Sequence, residues 1–160
     1  VVDSLLERQR TVVALHPNND PGSDSIRTAL LEREGHGRFR LLPSMRFESY
    51  LTALRNAAVL IGNSSSGVHE APIYGVPSVN VGGRQRNRYS GDSITNVAPV
   101  LPAVLDAIER EWGRRYATSD HFGSGTSAEQ FVAVMADAAT WGVSPFKQFH
   151  DAHFVSPAVD

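Results

Sequence analysis

Residues 60–88 read LIGNSSSGVHEAPIYGVPSVNVGGRQRNR, and the fold of the whole chain turns on how this stretch is parsed. With Val59 in front, it opens on an apolar run of the kind that fills a strand buried on both faces. The run stops at Gly62, Asn63-Ser64-Ser65-Ser66 follow, and a helical pattern takes over. Ser and Asn at a strand-to-helix junction are N-cap residues, because their oxygens accept the orphan amide protons of the first turn. Those amides, with the helix dipole behind them, suit an anion. Hydroxyls beside Gly67, where a ligand can approach the backbone closely, fit a phosphate or diphosphate. Glu70 falls on the first turns of the same helix, where its carboxylate repels phosphate but suits the hydroxyl pair of a ribose. Tyr74-Gly75-Val76-Pro77 is a turn, Ser78 to Val81 a second buried strand, and Gly82 to Arg88 a flexible loop with three arginines. Serine-rich turns also serve purely as caps, and arginine loops as solvated surface. Here the two features sit at successive strand ends of one α/β sheet, the edge where ligands bind.

Working outward, Val1 to Gln9 has helical spacing, and Thr11 to Leu15 is a β-branched strand closed by His16-Pro17-Asn18-Asn19-Asp20-Pro21-Gly22. Ser23 to Glu34 is predicted helical, Phe39 to Leu42 a short strand, and Ser44 to Asn56 a helix with Phe47, Tyr50, Leu51 and Leu54 on one face. Downstream, Thr95-Asn96-Val97 is a candidate strand and Leu101 to Trp112 a helix with Pro102 in its first turn. Phe122 to Ser127 is a loop whose Thr126 or Ser127 caps a helix running to Ala139; Trp141 to Phe154 is irregular and aromatic-rich. The alternation predicts an α/β fold, a Rossmann-like parallel sheet with helices on both faces and right-handed crossovers. Residues 1–140 form the predicted domain, and 141–160 a tail that packs on another domain or a partner.

At 160 residues and 41% hydrophobic, the chain can bury a sizeable core. The net charge of −2 is mixed in sign, so neither nucleic acid nor membrane is an expected partner. The absence of cysteine excludes thiolate chemistry and fits a cytoplasmic protein. His121, His150 and His153 share no helical face and no carboxylate motif, so no metal or cofactor is expected. The chain opens mid-pattern on Val1-Val2-Asp3-Ser4-Leu5-Leu6 without Met, and a piece of a longer protein is expected.

Ile61-Gly62-Asn63-Ser64-Ser65-Ser66-Gly67, Glu70, Gly75-Val76-Pro77, Asn80 and Gly82-Gly83-Arg84-Gln85 together resemble the UDP-N-acetylglucosamine 2-epimerase family. The turn His16 to Ser23, Leu42-Pro43, the Phe122 to Ser127 loop and Lys147, Phe149 and Asp151 extend the resemblance over nearly the whole chain. Gly-Arg-Gln-Arg-Asn-Arg stands where the non-hydrolysing branch carries a Thr-Glu-Arg-Pro-Glu type loop, so the likeness is to the hydrolysing branch.

The resemblance implies the C-terminal, UDP-holding half of a glycosyltransferase-B type fold. Residue by residue, it implies Ser64 and Ser65 on the diphosphate, Glu70 on the ribose hydroxyls and Arg84 lining the nucleotide. It places Asn18 near the ligand and the backbone at Leu42 on the uracil edge. It further implies elimination of UDP from UDP-N-acetylglucosamine and hydration to N-acetylmannosamine. The acid/base residues would lie in an N-terminal half outside this chain, leaving the fragment inactive, and the full-length form would be a homo-oligomer. A glycosyltransferase of the same architecture, a non-hydrolysing epimerase and a stand-alone nucleotide-binding module are the competing readings.

Overall fold

The computed structural model describes residues 1–142 and 146. The chain forms two compact units, Val1–Phe122 and Gly123–Asp160. The first runs α1 (Val2–Glu7), β1 (Val12–Leu15), α2 (Ser23–Leu31), β2 (Phe39–Leu42), α3 (Phe47–Asn56), β3 (Leu60–Gly62) and α4 (Ser66–His69). A 3₁₀ turn at Ala71–Tyr74 leads to β4 (Ser78–Val81), β5 (Ile94–Val97) and α5 (Leu101–Glu111). Every strand pair is parallel: β1 on β2 with Val12 opposite Phe39, and β3–β4–β5 with Leu60 opposite Ser78 and Ser78 opposite Ile94. The expected parallel α/β, Rossmann-like architecture is borne out, although its strands form two ladders rather than one. β3 offers few groups for a further ladder, because Gly62, at φ +146°, ends it after three residues.

Helices cover both faces because the strands alternate apolar contacts. On one side Val79 packs with Leu5, Val104, Ala107 and Ile108, joined by Val12, Val59 and Ile61. On the other, Leu54, Ala71 and Val76 form a second cluster with Tyr50, Leu60 and Tyr74. β3 thus contributes to both cores, but it is half-buried rather than fully buried, since it lies at the edge of its ladder. α5 buries Val104, Ala107, Ile108 and Glu111, the stripe that a 3.6-residue period produces. Glu111, only 4% exposed, accepts hydrogen bonds from Tyr116 Oη at 2.5 Å and Thr95 Oγ1 at 3.2 Å. Burial alone would raise its carboxyl; those two bonds, with the Arg114 and Arg110 charges, outweigh burial and hold it below the usual carboxylate range.

The predicted apolar face of α3 is only partly used: Leu54 is buried, Tyr50 and Leu51 are half-buried, and Phe47 is exposed. From Gly113 to Phe122 the chain has no regular element. It crosses back over the 3₁₀ turn, where the amides of Tyr116 and Ser119 donate to the carbonyls of Gly75 and Pro72, both at 3.0 Å. Gly75 cannot be replaced cheaply, because it sits at φ +61° and a Cβ there would lie 2.1 Å from the Tyr116 carbonyl oxygen.

In the second unit, α6 (Ser127–Ala136) and α7 (Ala138–Trp141) replace the single helix expected to Ala139. Asp137 interrupts it by turning extended and accepting the Ala139 amide with its side chain at 2.9 Å. Neither Thr126 nor Ser127 supplies the expected side-chain cap; Thr126 Oγ1 instead accepts from Gln130 Nε2. Lys147, Phe149, Asp151, His150 and His153 lie outside the described residues, as does most of the expected 141–160 tail.

Candidate functional site

Gly62 releases the chain from β3 into Asn63, Ser64 and Ser65, all exposed, and then buried Ser66. Ser64 Oγ accepts the Ser66 amide at 3.3 Å, and the Ser65 carbonyl accepts the amides of Val68 and His69 at 2.9 Å. The expected helix is shorter than its pattern suggests. α4 is a single turn of four residues, and the chain tightens into 3₁₀ geometry where Pro72 lacks the amide an α-helix would use. A dipole that sums over aligned peptides is small in one turn, so the exposed groups available to an anion are hydroxyls more than a macrodipole. Gly67 also differs from expectation. A Cβ at this position would meet Ser78 Oγ at 2.3 Å, so the glycine serves the close seating of α4 on β4 rather than ligand approach.

Ser66 is bonded through all of its polar groups: its amide to Ser64, its carbonyl to the Glu70 amide at 3.1 Å, and its hydroxyl to the Tyr50 hydroxyl. Glu70 closes α4. It is half-buried, and its Oε2 is enclosed without a hydrogen-bond partner among the described residues. Burial pushes the Tyr50 phenol up, the Ser66 bond offsets part of that, and the Glu70 charge pushes it up again. At neutral pH Tyr50 is therefore a protonated hydroxyl, able to donate or accept in its bond with Ser66.

The arginine loop is anchored rather than free. Gln85 is buried and donates from Nε2 to the Asn63 carbonyl at 2.8 Å, tying the loop after β4 to the loop after β3. Arg84 Nη1 lies 2.9 Å from Asp20 Oδ2, which ties the same loop to the turn after β1. Three strand-end loops are thereby tied together: Ser64 and Ser65 lie in the loop after β3 and Arg84 in the loop after β4, while Glu70 sits at the C-terminal end of α4. Arg86 and Arg88 stay exposed.

Asn18 and Leu42 stand apart. Asn18 is exposed and lines a cleft of about 250 Å³ with His16, Asn19, Ser23, Arg27 and Pro43. Leu42, half-buried at the end of β2, already gives its carbonyl to the His16 amide at 3.0 Å. The Asp20–Arg84 pair is the link from the Asn18 turn to the arginine loop.

Four contacts could not be read from the sequence. Tyr50 was expected only as part of an apolar helix face, although a buried Tyr needs a partner for its hydroxyl. Gln85, a neutral side chain among arginines, carried a similar signal. His69 stacks on Phe122 with ring centroids 4.3 Å apart, and Tyr89 on His121 at the same separation, pairs for which spacing along the chain gives no warning.

Parallel strands whose carboxyl-end loops gather hydroxyls, a carboxylate and arginines define a Rossmann-like α/β domain with its polar groups at the strand ends. Over residues 1–136 the sequence matches the UDP-N-acetylglucosamine 2-epimerase family, and the chain belongs to it. It is 40% identical over 146 residues to a UDP-N-acetylglucosamine 2-epimerase of Neisseria meningitidis serogroup B, a match covering 89% of this chain and 38% of that protein. It is 29% identical over 136 residues to a hydrolysing UDP-N,N'-diacetylbacillosamine 2-epimerase of Legionella pneumophila, covering 84% and 36%. It is 28% identical over 153 residues to polysialic acid biosynthesis protein P7 of Escherichia coli, covering 92% and 39%. The chain therefore spans well under half the length of these curated relatives. No helix among the described residues is long and apolar enough to cross a membrane.

Proposed function

We propose that this chain is the UDP-binding part of a UDP-N-acetylglucosamine 2-epimerase of the hydrolysing type. The observation that carries this reading is the enclosed, unpartnered Oε2 of Glu70, the residue that closes the single helical turn opened by the Ser64–Ser65 segment. A buried carboxylate oxygen lacking a bond is costly unless a ligand donor completes it, and a ribose offers two hydroxyls. Ser64 and Ser65 then face the diphosphate, and Arg84 exchanges Asp20 for phosphate oxygens. Asn18 and the Leu42 backbone, reached across the Asp20–Arg84 link, are assigned to the nucleoside end of the ligand. The Leu42 carbonyl retains one lone pair beyond its bond to His16, and this is what it has to offer a uracil edge.

The chemistry assigned to these residues is leaving-group stabilisation. Elimination across C1 and C2 breaks the bond from C1 to the diphosphate oxygen and removes the proton at C2, giving a glycal to which water adds. Charge gathers on the departing diphosphate, where hydroxyls and a guanidinium held in advance lower the barrier. The base and acid at C2 are assigned to residues outside this chain, so the isolated chain is expected to be inactive. The Gly-Arg-Gln-Arg-Asn-Arg loop and the hydrolysing Legionella relative support the hydrolysing branch over a glycosyltransferase of the same architecture.

Titration calorimetry with UDP and with UDP-N-acetylglucosamine tests the reading. Similar affinities are expected, because the assigned groups address nucleotide and diphosphate. A strong preference for the sugar nucleotide, or no binding of UDP, overturns it.

A further inference from the structure

We propose that Tyr50 is a positioning residue for the ligand site, acting through Ser66 to set the diphosphate turn and the Glu70 carboxylate together. This inference rests on the UDP reading above and extends it to a residue on a different element. Tyr50 belongs to α3, sixteen positions before Ser66, and its hydroxyl pairs with the Ser66 hydroxyl. Ser66 is 8% exposed, so water competes little for that bond. The residue is fastened to the site in two directions. Its amide is received by Ser64 Oγ, and its carbonyl receives the Glu70 amide.

The local helix cannot hold this arrangement alone, because α4 has four residues and then gives way to the 3₁₀ turn. A single turn is unstable without tertiary support. The Tyr50 ring is fixed by the Leu54, Ala71 and Val76 cluster, so its hydroxyl is a stationary point in the second core. If it is removed, Ser66 loses its fixed partner. The Ser64 hydroxyl and the Glu70 backbone are then both free to drift, one toward solvent and the other away from the ribose hydroxyls. Tyr50 would touch no ligand atom; it acts on residues that do.

The experiment compares the wild-type chain with Y50F, S66A and the double variant, each titrated with UDP and with 2′,3′-dideoxy-UDP and melted without ligand. One hydrogen bond is at stake, so each single variant should lose about threefold to tenfold in UDP affinity. The double variant should lose no more than the weaker single, because both changes delete the same bond. The loss should be smaller for the dideoxy nucleotide, which cannot use Glu70, and melting should fall by only the few degrees that one hydrogen bond is worth. A purely structural role would lower the melting point and weaken both ligands alike. Y50F binding UDP as tightly as wild type, losses that add in the double variant, or equal losses for both nucleotides would each overturn the proposal. S66A deletes the bond from the other side and carries the test should Y50F not fold. No UDP binding by wild type overturns the UDP reading and this inference with it; binding by wild type with an unaffected Y50F overturns this inference alone.

Discussion

Changing Glu70 to Gln separates a ligand-facing carboxylate from a structural one. The side chain keeps its shape and loses its charge, at a position where Oε2 is enclosed and unpartnered. In the free protein the change removes the charge from an enclosed group without removing any partner described for that oxygen, so stability should hold or rise. In the complex it replaces a charged acceptor with a neutral amide facing ribose hydroxyls. A hydrogen bond to a charged group contributes about 1.5–3 kcal/mol, which corresponds to roughly ten- to hundredfold in affinity. Calorimetry with UDP should show that loss, while 2′,3′-dideoxy-UDP, already lacking the hydroxyls, should bind the variant and the wild type about equally. Melting of the free proteins supplies the second measurement. Equal losses for both nucleotides would take Glu70 out of the ribose role. A clear drop in the stability of the free variant would mean that the carboxylate has a structural partner.

Substituting Gly67 with Ala should destabilise the chain by about 1–3 kcal/mol through overpacking on Ser78, and G67A/S78A should recover most of it, since the nearest Ser78 atom is then its Cβ at 3.5 Å; denaturant melts decide this. Glu111→Gln should cost about 1.5–3 kcal/mol at neutral pH. Because the folded carboxyl titrates below its unfolded value, the wild type holds this stabilisation above the ordinary glutamate range (~4.3). It loses it as pH falls through the lowered folded value, and urea melts of the variant should show a shallower acid decline. Asp20→Asn should tighten UDP modestly and Arg84→Gln should weaken it, because Asp20 occupies the guanidinium that the proposal assigns to the diphosphate. Titrations at two ionic strengths check both, and unchanged affinity in R84Q would remove Arg84 from the site.

The strands were readable because each combines an apolar run with a breaker at its end: Phe39–Leu42 stops at Pro43, and Ser78–Val81 lies between Pro77 and Gly82. Helix extents were less legible. The period after Ser66 continues past His69, but Pro72 and Gly75 stop it within a turn, an outcome settled by backbone chemistry rather than by hydrophobic spacing. Of the candidate site, the residues with conspicuous chemistry, Ser64, Ser65, Glu70 and Arg84, stood out in the sequence. The side chains that hold them did not. Gln85 reaches Asn63 across 22 positions and Tyr50 reaches Ser66 across 16, distances over which no local pattern carries information. Gly67 was misread for a related reason, since a glycine that admits a ligand and one that admits Ser78 look identical until the neighbouring strand is in place.

The irregular segment from Gly113 to Phe122 has a mechanical consequence. It contributes no ladder to the sheet, and its backbone fastenings at Gly75 and Pro72 are isolated bonds that can be peeled one after another. Tension applied to the chain beyond Gly123 would arrive first at the Phe122 ring, which rests on His69, the immediate neighbour of Glu70. Peeling sequential contacts takes far less force than shearing a parallel ladder loaded along all its bonds at once. Release of that segment is therefore a sub-global opening of this unit, and pulled from this end it would begin at the carboxylate turn while the strands beneath stayed intact.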